Sequence, residues 1–296
     1  ALAQVSHNTT SAPSATSALS ARNPKFMRTG YATVNGLKMY YEVYGPSHGT
    51  PLVLLHGGGS TIGTNWSRVI PHFARTRQVI AVEFQAHGHT ADIDRPFTFE
   101  QSADDVAALF EQLHIAKADL LGFSNGGTTA LQVAIRHPGV VDHLVIASAN
   151  YRRDGMPPGF WEFMRKGTFA DMPQTYKDAY LKINPSQAGL QAMWKRDATR
   201  MNAFTDIPDE SIRAIKAPAL VVDGDRDVVL PEHALALSRL LPHARLCILP
   251  GQHGEYLGEF MYQVSDRVPE RFASLVEDFL ATTEHAPSAA IAPTPR

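Results

Sequence analysis

A single cysteine, Cys247, stands in a chain of 296 residues. No disulfide can therefore close within the chain, and no thiolate-based zinc site can be assembled. No apolar run approaches the ~20 residues that a bilayer-spanning helix needs. Neither sign of charge prevails, since 27 Lys and Arg face 29 Asp and Glu for a formal net charge of -2. The basic surface that nucleic acid or anionic lipid requires is missing. Internal repeats and charge blocks are missing too. What is present is 44% apolar and 19% charged residues, a balance that can bury a sizeable core and that excludes a wholly disordered chain. At ~150 residues per domain the length allows one or two domains. Function is therefore expected in a pocket on a soluble domain that takes a small-molecule substrate, with no nucleic acid and no integral membrane segment involved. The sequence sets no oligomeric state.

Both ends differ from the rest. Thirteen of the first twenty residues are Ser, Thr or Ala, too little apolar surface to offset the entropy of ordering them, so 1–24 is expected to be a disordered tail. The opening Ala1-Leu2-Ala3 fits the A-x-A end of an export signal, and periplasmic or secreted export stands beside a cytoplasmic location. His285 to Arg296 is rich in Ala and Pro, and 284–296 reads as a second loose tail.

Between the tails, strand-like and helix-like segments alternate. Tyr31 to Val34 and Leu37 to Tyr44 flank Asn35-Gly36, a strong hairpin signal. Leu52 to Leu55 and Val79 to Val82 are short apolar runs. Thr98 and Gln101 form a capping-box pattern before a helix that sets Val106, Leu109, Phe110 and Leu113 on one face. Asp119 to Phe123, His143 to Ala147, Ala219 to Val222 and Arg245 to Leu249 read as strands. Helices are expected over Thr128 to Ile135, from Pro231, and around Phe272 to Leu280. This alternation predicts an α/β fold, a mostly parallel doubly wound sheet led by an N-terminal antiparallel hairpin. The core is expected over 25–149 and 214–283. Residues 150–213 show no strand signal and carry two of the three tryptophans and five of the eight methionines. An insertion of that size between two strands predicts a helical cap.

Chemistry concentrates at strand ends. Gly122-Phe123-Ser124-Asn125-Gly126-Gly127 joins a strand to a helix, and a serine on such a tight turn lifts its hydroxyl above the sheet. His56-Gly57-Gly58-Gly59 follows another strand, where consecutive glycines leave backbone N–H groups able to approach a developing oxyanion. A serine hydroxyl needs a neighbouring base, and that base needs an orienting carboxylate. Asp223-Gly224-Asp225-Arg226-Asp227 and Gly251-Gln252-His253-Gly254 follow the last two strands, at the sheet edge where α/β folds gather ligands. Asp225 and Asp227 both remain candidates for the carboxylate.

These motifs, taken in order, resemble those of the α/β-hydrolase family over roughly Lys25 to Thr283. The resemblance implies Ser124 as nucleophile, His253 as general base and then acid, and Asp227, at the last position of a G-x-x-D turn, as the residue that holds the imidazole. It further implies an oxyanion hole from the N–H groups of Gly58 and Asn125. Glu83 to Thr90 aligns with the family's D-x-R-G-H-G-x-S turn but departs from it at Glu83, Gln85 and Ala86.

Other readings weigh less. His56 is expected to anchor its loop through backbone hydrogen bonds. His87 and His89 lack the H-E-x-x-H helix or carboxylate cluster of a metal site, so none is expected. Asp223, Asp225 and Asp227 open like a calcium loop, but Val228 stands where the glycine is required and Ala234 where the closing glutamate is. The cap should cover an apolar pocket above Ser124, with Trp161, Phe163, Met193 and Trp194 as wall candidates. The function expected is hydrolysis of small or medium carboxylic esters through an acyl-enzyme, with no cofactor. A carbon–carbon bond hydrolase, a lactonase or amidase, and a cofactor-free perhydrolase use the same machinery. A non-catalytic ligand receptor is the alternative of another class.

Overall fold

The computed structural model describes residues 28–282, so both expected tails, and with them the export reading, lie outside the described residues. β1 (Arg28–Val34) and β2 (Leu37–Tyr44) form the antiparallel hairpin. Its two-residue turn places Asn35 at φ 47° and Gly36 at φ 82°, the left-handed pair that matches the twist of the flanking strands. β3 (Leu52–Leu55), β4 (Val79–Val82), β5 (Ala118–Phe123), β6 (Val141–Ala147), β7 (Ala219–Gly224) and β8 (Ala244–Leu249) complete the eight-stranded sheet. Its order is β1-β2-β4-β3-β5-β6-β7-β8. β2 runs antiparallel to β4, and every pairing from β4 to β8 is parallel.

Helices cover both faces. Alternate strand residues such as Val53, Leu55, Ile80, Leu120, Ile146 and Val221 join α3 (Phe99–Gln112), α4 (Asn125–Arg136) and α9 (Pro231–Leu240) in one core. Their neighbours, including Leu52, Leu54, Ala81, Leu121, Val145 and Val222, join α1 (Ile62–Trp66), α2 (Ile70–Phe73) and α10 (Arg267–Leu280) in a second. Burial on both faces is why β3 and β4 read as unbroken apolar runs. On α10, Phe272, Val276, Phe279 and Leu280 fall on one stripe and are all buried, each contributing roughly 1.5–3 kcal/mol.

The sheet carries the expected strands, with ends moved by a few residues. The short helices α1 and α2 had no periodicity long enough to announce them. The capping box before α3 is half formed: the Thr98 side chain accepts the Gln101 N–H at 3.0 Å, but the Gln101 side chain turns to Asp105 at 3.2 Å. Between β6 and β7 lie α5 (Phe160–Lys166), α6 (Gln174–Ile183), α7 (Gln187–Asn202) and α8 (Asp209–Arg213), with no strand among them.

Candidate active site

Ser124 sits between β5 and α4 at φ 55° and ψ −123°, a conformation that a non-glycine residue holds only when its surroundings dictate it. The surroundings here are crowded. A Cβ on Gly122 would lie 2.2 Å from the Gly126 carbonyl oxygen, and one on Gly126 would lie 2.0 Å from that of Leu55. The two glycines let the strand, the turn and the helix start press together, and the serine is left at the helix entrance.

Three loops from three strand ends meet there. His253 Nε2 lies 3.0 Å from Ser124 Oγ, and His253 Nδ1 lies 2.7 Å from Asp227 Oδ1. The Asp227 side chain is fully buried and that of His253 is 30% exposed, so the imidazole is open to a ligand while its carboxylate partner is not. Such a line lets the ring take the hydroxyl proton and lets the carboxylate stabilise the cation formed. Asp225 is not in reach: its exposed carboxylate accepts the Gly251 N–H at 2.8 Å and so braces the loop that carries His253.

Two carboxyl groups are buried side by side at this point. Burial pushes Asp227 up, but His253, Ser148 and the Val229 N–H together bring it below the ordinary carboxylate range. Asp223 goes the other way, to about 9, through burial first and then the charge of Asp227. It is therefore protonated at neutral pH and adds no second negative charge beside the imidazole. Ser148, which no sequence motif marks, donates to Asp227 Oδ2 at 2.6 Å and lies 2.6 Å from the buried Tyr256 hydroxyl. With its own proton on Asp227, Ser148 accepts from Tyr256. Its positive φ of 48° directly after β6 is a backbone feature that residue type alone does not reveal.

Each glycine amide of the loop after β3 has a distinct environment. Gly57 N–H donates to Asn65 Oδ1 at 2.7 Å, and Gly59 N–H donates to Asp197 Oδ2 at 2.6 Å. Among the described residues no acceptor engages the N–H of Gly58 or of Asn125. Both residues line the cavity at Ser124. His56 anchors the loop as expected. Burial lowers its pKa to about 3, and the neutral ring gives Nδ1–H to Gly57 O at 2.7 Å and accepts the Phe84 N–H at Nε2 at 3.1 Å.

The divergent turn has its own bonding. Glu83 accepts the backbone N–H of His89 at 2.6 Å and meets its ring at 2.9 Å. Gln85 binds Asp92 at 2.8 Å and Arg95 at 2.8 Å. Ala86, where the family pattern has glycine, holds φ 68°. His87 Nε2 meets Asp197 at 2.9 Å and joins no group of metal-ligating geometry. The cluster of that geometry among the described residues, Asp119, Asp142 and His143, lies at the other end of β5 from Ser124, and Arg77 already occupies Asp119 at 2.7 Å.

A cavity of about 250 Å³ opens over Ser124. Its walls include Met193 and Trp194 of the four expected residues, joined by Met164, Met172, Met201 and Asp197. The other two stand apart. The Trp161 ring stacks on Phe204, its N–H donates to Arg153 O at 2.7 Å, and Phe163 is 62% exposed. Methionine density was the informative signal, whereas ring size misled because aromatic side chains also bind the insertion to itself. The acidic wall residue, Asp197, could not be found from sequence, since nothing in W-K-R-D-A-T-R marks which charge faces inward.

The family described as "alpha/beta hydrolase fold" matches residues 50–193. The 2-hydroxymuconate semialdehyde hydrolase of Pseudomonas sp. (strain CF600) is 30% identical over 261 residues, covering 80% of this chain and 89% of that protein. The human serine hydrolase BPHL is 27% identical over 270 residues, covering 83% and 84%. Among solved structures, a serine hydrolase involved in carbazole degradation (the CarC enzyme) is similar, with TM-score 0.70, 24% identity and coverage of 86% of this chain and 98% of that one. The enol-lactonase from Burkholderia xenovorans LB400 gives TM-score 0.67 at 23% identity, covering 85% and 100%. The ordered strand-end motifs, the sheet and the relatives agree, and the chain belongs to the α/β-hydrolase family and is a hydrolase of that superfamily.

Proposed function

We propose that the protein is a serine esterase acting on small or medium carboxylic esters. Ser124 Oγ attacks the ester carbonyl as His253 Nε2 takes its proton, and Asp227 steadies the imidazolium. The tetrahedral oxygen is held by the N–H groups of Gly58 and Asn125. The proton passes from His253 to the leaving alkoxide, giving the alcohol and an acyl-enzyme. Water, activated by the same ring, then releases the acid. The helical insertion serves as the cap over the acyl group. The observation that carries this reading is the unbroken line from Asp227 through His253 to Ser124, at 2.7 and 3.0 Å, beside two backbone donors that have no acceptor among the described residues.

The alternative of a carbon–carbon bond hydrolase, expected from the same motifs, draws support from the relatives, because one of them is named for hydrolysis of a semialdehyde. A carbon–carbon bond hydrolase for an acidic diketone would gain from a cation facing the substrate carboxylate. Among the described residues the cavity at Ser124 offers no Lys or Arg, and the one charged wall residue is Asp197. Four methionines in so small a space favour short, flexible, uncharged acyl groups. The test is a panel of p-nitrophenyl esters, lactones and vinylogous diketone acids, with and without peroxide, run beside Ser124→Ala. The esters should give the highest kcat/KM, with kcat lost by several powers of ten in the variant. Preferential cleavage of the diketone acids would overturn the ester reading, and equal turnover by Ser124→Ala would overturn the mechanism.

A further inference from the structure

The wall residue Asp197 belongs to α7, in the insertion, yet one of its carboxylate oxygens bonds to the core. Oδ2 accepts the Gly59 N–H at 2.6 Å and meets His87 Nε2 at 2.9 Å, and Oδ1 accepts from Arg200 at 2.6 Å. Burial opposes a charge there. The attraction of His87 and Arg200 and the bond from Gly59 more than offset it, and the carboxyl stays well below its usual range. Behind it the Arg200 side chain, 1% exposed, lies over the rings of Phe97 and Phe99 at 4.1 and 4.7 Å. An ionised, largely buried carboxylate held by Arg200, His87 and the Gly59 N–H is a rigid acceptor, aimed at the loop that bears the oxyanion donor.

We propose that Asp197 is the positioning residue of the oxyanion loop. By taking the Gly59 N–H, it fixes a turn in which Gly58 keeps the one uncommitted amide and points it at the ester oxygen. Gly57 is tied by Asn65 on one side and Gly59 by Asp197 on the other, at 2.7 and 2.6 Å, so Gly58 is held between two fixed neighbours. Gly59 also has φ +65°, a flexible position that gains most from a tether. Because Asp197 arrives on α7, the donor is in place only when the insertion is docked. The inference rests on the esterase reading and adds a reason why the insertion matters to the chemical step as well as to binding.

The test compares two double variants, Asp197→Ala/Arg200→Met and Asp197→Asn/Arg200→Met. Both lack the buried cation and its counter-charge, so they differ in whether an oxygen still faces Gly59 N–H. Each is measured for kcat and KM on a p-nitrophenyl ester and for inhibition by an alkylboronic acid, which adds to the serine and mimics the tetrahedral oxygen. The alanine double should lose about 10- to 100-fold in kcat, with KM changed less than threefold and boronate affinity lost in parallel, since the loosened donor acts in the transition state. The asparagine double should stay within about threefold of wild type. Equal kcat in the two doubles, with wild type active, would overturn the positioning role and leave the esterase reading intact. Wild type inert toward every ester would end both. Should a double fail to fold, the single variants Asp197→Ala and Asp197→Asn give the reading: a kcat at least about tenfold lower in the alanine variant than in the asparagine variant is expected, and equal kcat in the two would overturn the role.

Discussion

Replacing Asp223 by asparagine should make the protein more stable, by an amount that grows with pH. In the folded state this carboxyl is raised to about 9 by burial and by Asp227, whereas an unfolded aspartate titrates near 4. Between these limits the folded protein binds one proton that the unfolded chain does not. Its stability relative to a non-titrating variant then falls by about 1.4 kcal/mol per pH unit as pH rises. The window opens near pH 4 and closes near 9. Asparagine mimics the protonated acid in size and neutrality, and its side-chain oxygen can still accept the Gly224 N–H now held at 2.9 Å. Over the three units from pH 4 to pH 7 the advantage should reach on the order of 2–4 kcal/mol, the lower figure allowing for relaxation around the pair. The assay is urea unfolding of both proteins from pH 4.5 to 8.5. A gap in unfolding free energy that widens steadily in favour of Asp223→Asn is expected. A gap that stays constant, or that narrows with pH, would refute the proton assignment and with it the claim that a single negative charge stands behind His253.

Gly126→Ala should abolish activity and unfold much of the protein, because its Cβ would meet backbone, the Leu55 carbonyl at 2.0 Å, which cannot move aside; circular dichroism melting checks this. Ser148→Ala removes a donor from Asp227 and leaves the Tyr256 hydroxyl without its acceptor. A kcat loss of about 10- to 100-fold and a stability loss of about 2–4 kcal/mol are expected from steady-state kinetics and denaturant unfolding. Ala86→Gly should be neutral or stabilising by up to ~1 kcal/mol, unlike most glycine substitutions. Relief of a positive φ of 68° outweighs or balances the added freedom of the unfolded chain.

The fold was legible because its strands are either short apolar runs, as at Leu52–Leu55, or are punctuated by glycine motifs with a fixed geometric need. The line from Ser124 to Asp227 was legible for the same reason: strand, glycine and polar residue recur at one sheet edge. What stayed hidden depends on direction rather than composition. Ser148 is one serine among many until β6 and β7 bring it over Asp227. Trp161 and Met193 lie in the same insertion, yet one is turned to Arg153 and the other to the cavity. Asp197 sits among alternating charges on α7, and only helix docking decides that it meets Gly59 while Arg196 meets Asp92 at 2.9 Å.

On the proposed mechanism the Ser124 hydroxyl is made nucleophilic by His253, its neighbour across the sheet edge. Intact-protein and peptide mass spectrometry after exposure to a fluorophosphonate tests it directly. One phosphonyl group per chain, carried on the peptide containing Ser124 and absent from His253→Ala under the same exposure, is the expected result. Labelling elsewhere, or equal labelling of the histidine variant, would contradict it.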